Sequence, residues 1–140
     1  MKIVILDGYT INPGDLTWEG LEALGELTVY DRTPAEEVAE RCSGAQLVLT
    51  NKAKVSGDTI KKLPDLKYIG ELATGYDNID IKEAAFRNIP VCNVPGYSTM
   101  SAAQLTWALI LALVCKTSQR SVAVYDGAWV KSKDFCFGHA

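Results

Sequence analysis

The sequence predicts an α/β fold, with one parallel sheet of five strands covered on both faces by helices. Three observations carry this expectation. The chain has 140 residues, the size of a single domain with a core of its own. Short apolar runs recur five times between Lys2 and Val94. Between them lie helical patterns bounded by capping residues, so that strand and helix alternate every 20 to 25 residues or about that. Such alternation builds parallel sheets, because each return to the same sheet edge needs a crossover helix.

Taken in order, Lys2 to Leu6 is the first strand, and Asp7-Gly8-Tyr9-Thr10 turns away from it. Pro13 to Leu24 reads as a helix, with Leu16, Gly20, Leu21 and Leu24 on one side and Gly25 as its stop. Glu26 to Tyr30 is the second strand, Leu27 and Val29 alternating with Glu26 and Thr28. Thr33 reads as an N-cap with Pro34 at the first helical position, and Glu36 and Glu37 suit the positive end of the helix dipole. That helix stops near Ser43-Gly44. Gln46 to Thr50 is the third strand, followed by Asn51-Lys52, and Ser56 to Leu63 is a short helix closed by Pro64. Leu66 to Ile69 is the fourth strand, Asp80 to Arg87 a helix and Ile89 to Val94 the fifth strand. For five such strands the flavodoxin-like order 2-1-3-4-5 is expected.

After Val94 the rhythm breaks. Pro95 to Met100 is a loop, and Ser101-Ala102-Ala103-Gln104 matches a capping box. A helix then runs to about Arg120, apolar nearly all round through Leu105, Trp107, Leu109, Leu111 and Leu113. Such a helix expects burial between two layers. Val122 to Ala140 carries Tyr125, Trp129, Phe135 and Phe137 without a clear period and reads as an irregular arm whose aromatics need a partner surface.

Composition narrows the function classes. Hydrophobic residues at 48% and charged ones at 22% describe an ordinary soluble globular chain. A net charge of −3 and a pI near 5.1 leave no basic stripe to neutralise phosphates, so nucleic acid is not the expected partner. The opening Met1 to Asp7 does not read as a signal peptide, and the apolar run Leu105 to Cys115 is about half the roughly 20 residues of a membrane span. Cys42, Cys92, Cys115 and Cys136 lie far apart with no C-x-x-C pair, and are expected as buried free thiols in a cytoplasmic protein rather than as disulfides or metal ligands. The single histidine, His139, is one residue from the end and reads as a solvated tail residue. There is no G-x-G-x-x-G and no P-loop. Asp7 alone does not make the acidic cluster of a response regulator, and Asp7-Gly8-Tyr9-Thr10 lacks the Ser/Thr-rich cradle of a flavin phosphate.

The most informative stretch is Glu71-Leu72-Ala73-Thr74-Gly75-Tyr76-Asp77-Asn78-Ile79-Asp80. It follows the fourth, central strand, and ligands of open α/β sheets bind outside the carboxyl ends of such strands. Ala73, Thr74 and Gly75 are small enough for their N–H groups to reach an anion, and Gly75 can take a positive φ. A plain strand-to-helix turn with Asp80 as N-cap is the competing reading.

Leu72 to Asp80, then Asn93-Val94-Pro95-Gly96-Tyr97-Ser98-Thr99, then Ser101-Ala102-Ala103-Gln104 resemble the NAD-dependent D-isomer-specific 2-hydroxyacid dehydrogenases. Gln104 and Thr50-Asn51-Lys52 make the likeness strongest to the glycerate dehydrogenase (hydroxypyruvate reductase) branch. The resemblance implies a flavodoxin-like substrate domain over residues 1–100. Residues 101–140 then supply the first helix and dimerisation arm of an NAD-binding domain. It implies that a small 2-oxo or 2-hydroxy acid, such as hydroxypyruvate or glyoxylate, is held by its carboxylate on the amides of Ala73, Thr74 and Gly75. Lys52 would add positive potential, and Thr99 would lie near the nicotinamide. It also implies a homodimer through residues 102–140. The family's catalytic histidine and Gly-rich coenzyme loop have no counterpart here, and His139 does not match that histidine. The expectation is therefore the N-terminal portion of an enzyme, inert alone, with no catalytic residue in this chain. The rival expectation is a stand-alone, non-catalytic module that binds a small carboxylate or a protein.

Overall fold

The computed structural model describes residues 1–133. The chain divides into two compact units, Met1–Gly96 and the residues from Tyr97 onward. The first unit is built on strands β1 (Lys2–Ile5), β2 (Glu26–Val29), β3 (Leu47–Thr50), β4 (Tyr68–Glu71) and β5 (Val91–Cys92). They form one sheet in the order β2-β1-β3-β4-β5, and every neighbouring pair is parallel. This is the expected flavodoxin-like topology. Ile3 lies opposite Leu27 of β2 and Leu47 of β3, and Leu49 opposite Gly70 of β4.

Residues alternate between the two sheet faces, and each face has its own core. On one face Val4, Val48 and Ile69 meet Val38 of α2 (Val38–Arg41), Ile60 of α3 (Gly57–Lys61) and Ala84 of α4 (Ile81–Phe86). On the other, Ile3, Ile5 and Leu49 pack with Trp18 and with Leu21 of α1 (Glu19–Glu22). Each aliphatic side chain buried in this way contributes about 1.5–3 kcal/mol. Asp80 is the N-cap read from the sequence, its Oδ1 accepting from Glu83 N–H, and Ser56 caps α3 in the same way, its Oγ accepting from Thr59 N–H.

Several elements differ from the sequence expectation. The helix expected over Pro13 to Leu24 is only Glu19–Glu22, because Asn12 Oδ1 accepts from the amides of Gly14 and Leu16 and winds the segment into a turn. Thr33 is no N-cap: its hydroxyl donates to Leu6 C=O and accepts from Arg41, while Pro34 is extended and precedes a 3-10 turn at Ala35–Glu37. The fourth strand lies two residues later than expected, which brings Glu71 into the sheet. The fifth is reduced to two residues.

The second unit holds α5 (Thr99–Val114), α6 (Thr117–Tyr125) and α7 (Ala128–Lys131). The capping box is not formed, since α5 already begins at Thr99 and Ser101 lies within it. The expected helix to Arg120 breaks at Lys116, which is left-handed (φ 49°), and α5 and α6 are bent by 56°. The expected irregular arm is helical in α6 and α7, and Phe135, Cys136, Phe137 and His139 lie outside the described residues. Among the described residues no single helix is long and apolar enough to cross a membrane. The cysteines also differ from expectation: Cys42 is buried, but Cys92 and Cys115 are exposed. Burial pushes the Cys42 thiol up to about 12 against a smaller opposing effect of Lys2, so it packs as a small apolar group.

Candidate functional site

The carboxyl ends of β1, β3 and β4 lie side by side, and each delivers a buried polar group: Asp7, Thr50 and Glu71. A carboxylate in such a position must be hydrogen-bonded, and Asp7 is. Its Oδ1 accepts from Asn51 N–H at 2.9 Å, and its Oδ2 accepts from Lys52 N–H and from Ala53 N–H, the latter at 2.9 Å. Three consecutive amides that β3 leaves behind as it ends are thus satisfied by one side chain. Asn51 Nδ2 donates to Thr10 Oγ1 at 2.8 Å, and Thr50 Oγ1 to Ala53 C=O at 2.9 Å.

The loop after β4 is locked to the same framework. Val55 and Ile79 form a parallel bridge, with Val55 N–H donating to Asn78 C=O and Asp80 N–H to Val55 C=O. Asn78 Nδ2 donates both to Ala53 C=O at 3.2 Å and to Glu71 Oε2 at 2.9 Å. Glu71 Oε1 has no hydrogen-bond partner among the described residues. Burial raises the Glu71 carboxyl above the ordinary glutamate range, and the Asp7 and Asp77 charges add to this. The Asn78 hydrogen bond and the Lys52 charge oppose it. Lys52 itself is exposed, close enough for its charge to act on Glu71.

Within that frame Ala73 and Thr74 are held, among the described residues, from the side of the segment after β5. Val94 N–H donates to Ala73 C=O at 3.0 Å, Asn93 Nδ2 to Thr74 C=O at 2.8 Å, and Thr74 Oγ1 to Val94 C=O at 3.0 Å. In a planar trans peptide the next N–H points opposite to the C=O. With both carbonyls turned to the segment after β5, the Thr74 and Gly75 amides point away from that segment. The amides of Ala73, Thr74 and Gly75 donate to no acceptor among the described residues. Gly75 does not use the positive φ that its identity allows. What it supplies is open space, since a Cβ there would meet only Asp77 Oδ1 at 3.4 Å. Thr99 is the exposed first residue of α5, in the second unit.

The structure therefore brings Lys52 and Ala73 to Gly75 to one end of one sheet, and assigns Thr99 to the other unit. Sequence reasoning missed Asp7, Glu71 and Asn78. The available signal was a carboxylate directly ending an apolar strand, at Asp7 and again at Glu71. Among the described residues no group of three or more His, Cys, Asp or Glu is placed to hold a metal ion.

Residues 3–132 match the family described as D-isomer specific 2-hydroxyacid dehydrogenase, catalytic domain. A hydroxypyruvate reductase of Blautia hydrogenotrophica is 45% identical over 98% of this chain and 44% of its own length. A glycerate dehydrogenase of Methylorubrum extorquens is 34% identical over 97% of this chain and 43% of its own. The chain thus spans less than half the length of these relatives. Among solved structures, an acyclic imino acid reductase in complex with NADPH and D-Arg superposes with a TM-score of 0.75 at 28% identity, covering 91% of this chain and 41% of that one. D-2-hydroxyisocaproate dehydrogenase, at 18% identity, shares the fold with a TM-score of 0.74 over 99% of this chain and 43% of that one. The imino acid reductase was solved with NADPH; the 140 residues here contain no Gly-rich dinucleotide loop, and Thr99 alone makes no cradle for such a group. What the chain does contain is the parallel sheet with its small-residue loop, and by sequence and fold together it belongs to the D-isomer-specific 2-hydroxyacid dehydrogenases.

Proposed function

We propose that this chain holds the substrate carboxylate in an NAD-dependent D-2-hydroxyacid dehydrogenase of the glycerate dehydrogenase kind. The overall reaction is hydride exchange between NADH and C2 of a small 2-oxo acid such as hydroxypyruvate or glyoxylate. The observation that carries the reading is the set of amides at Ala73, Thr74 and Gly75 that have no partner among the described residues, at the sheet end where the Lys52 charge acts on Glu71. Backbone donors fixed before the ligand arrives bind a carboxylate without further ordering cost. The contribution of these residues is binding and orientation, with the carboxylate on the amides and the rest of the acid projecting outward. The two named relatives, a hydroxypyruvate reductase and a glycerate dehydrogenase, support this choice of substrate.

The proposal extends to assembly and location. Leu105, Leu109 and Leu113 are 61%, 62% and 80% exposed on one face of α5, which supports self-association of the chain through residues 102–140. The free, buried thiol of Cys42 suits the reducing cytoplasm.

Calorimetric titration of the chain with D-glycerate and with its neutral amide, glyceramide, tests the carboxylate reading. Saturable binding of glycerate and none of glyceramide is expected. Equal binding of both would overturn it.

A further inference from the structure

The exposed side chain of Lys52 has no rigid element of its own. It sits two residues beyond β3, where the backbone has left the sheet ladder. Its backbone is held chiefly by Asp7, a residue 45 positions away in sequence, whose two carboxylate oxygens take the amides of Asn51, Lys52 and Ala53. Thr10 anchors the same turn from the side by accepting from Asn51 Nδ2 and donating to Asp7 C=O. A turn held at three successive amides cannot rotate about its ends, so the direction in which the Lys52 side chain leaves it is set.

We propose that Asp7 is a positioning residue for the substrate anion: through the backbone of residues 51–53 it holds Lys52 at the sheet end that also carries the Ala73–Gly75 amides. This rests on the carboxylate-site reading above. The carboxylate is the one side chain of this size that accepts at both ends. An asparagine would turn an NH2 group toward at least one amide N–H, setting donor against donor. Buried in place of Asp7, it would leave a donor unsatisfied and release part of the turn.

The test is a double-mutant cycle on the 140-residue chain, with D-glycerate affinity measured by NMR titration for Asp7→Asn, Lys52→Met and the pair. Asp7→Asn and Lys52→Met are each expected to weaken binding about tenfold, the effect of losing one charge-assisted contact. On the Lys52→Met background, Asp7→Asn should add almost nothing, since its effect runs through Lys52. Faster hydrogen exchange at the Lys52 and Ala53 amides in Asp7→Asn, without ligand, is the accompanying signature. Equal weakening on both backgrounds would show general loosening and overturn the inference. So would Asp7→Asn binding like wild type while Lys52→Met binds poorly. Wild-type protein that does not bind glycerate at all would overturn the carboxylate-site reading itself, and this inference with it. Should Asp7→Asn fail to fold, Thr10→Val enters the same cycle: it removes the acceptor of Asn51 Nδ2 and is expected to act in the same direction.

Discussion

Gly75 separates two roles that a glycine can play. Its φ is not in the left-handed region, and a Cβ would find Asp77 Oδ1 at 3.4 Å, an ordinary contact. Gly75→Ala should therefore fold with stability within about 1 kcal/mol of wild type by chemical denaturation. It should nonetheless bind D-glycerate several-fold more weakly, because the methyl group stands where the carboxylate approaches. Unchanged affinity would remove Gly75 from the site. Glu71 makes a prediction about pH. Burial raises its carboxyl in the folded state above the ordinary value of 4.5. The folded state therefore binds the proton more tightly than the unfolded one. The associated stability is fully present below the unfolded value and is lost as pH rises through the folded one. Glu71→Gln, which keeps an acceptor for Asn78 and removes the charge, should be more stable than wild type at neutral pH, with the gain fading below pH 4.5. Urea midpoints at the two pH values check this. The small residues of the loop could be read from sequence because their smallness is itself the signal. Asp7 and Glu71 carried only the weaker signal of a carboxylate at the end of an apolar strand, and Asn78 carried none, because the contacts that give them their roles are side-chain hydrogen bonds between neighbouring strand ends.

Helix α4 ends in a six-to-one bond from Ile89 N–H to Ala84 C=O and a five-to-two bond from Asn88 N–H to Ala85 C=O, with Asn88 left-handed at φ 56°. This is a Schellman motif with asparagine where glycine is preferred. Asn88→Gly should raise stability by about 0.5 kcal/mol, and Ser56→Ala, which removes the α3 cap, should lower it by about 1 kcal/mol. Thermal melts of the two variants should shift in opposite directions. The five strands and their order were legible because apolar runs recur at a regular spacing with room for a crossover between them. Pro13 to Leu24 was misread because its leucines have helical spacing, while the side-chain bonds of Asn12 to Gly14 and Leu16 win locally. The break at Lys116 carries no sequence mark such as Gly or Pro, so the apolar run concealed it.

At the scale of the whole molecule, the two units show opposite surfaces. The sheet unit buries most of the aliphatics of its strands β1, β3 and β4 almost completely, whereas most large apolar side chains of α5 are exposed. Sedimentation of the chain should show self-association, and the pair Leu109→Glu and Leu113→Glu should abolish it; a monomeric wild type would contradict this. The chain by itself should bind the acid without consuming NADH in the presence of hydroxypyruvate, since these 140 residues contain no dinucleotide loop.

If the amides at the end of β4 hold the carboxylate, they must respond to it directly. The most direct measurement is an amide-resolved NMR titration of the isotope-labelled chain with D-glycerate. Saturable downfield shifts are expected to concentrate at Ala73, Thr74 and Gly75, with smaller ones at residues 51–53. Saturable shifts centred elsewhere, or none at these three amides, would contradict a carboxylate site there.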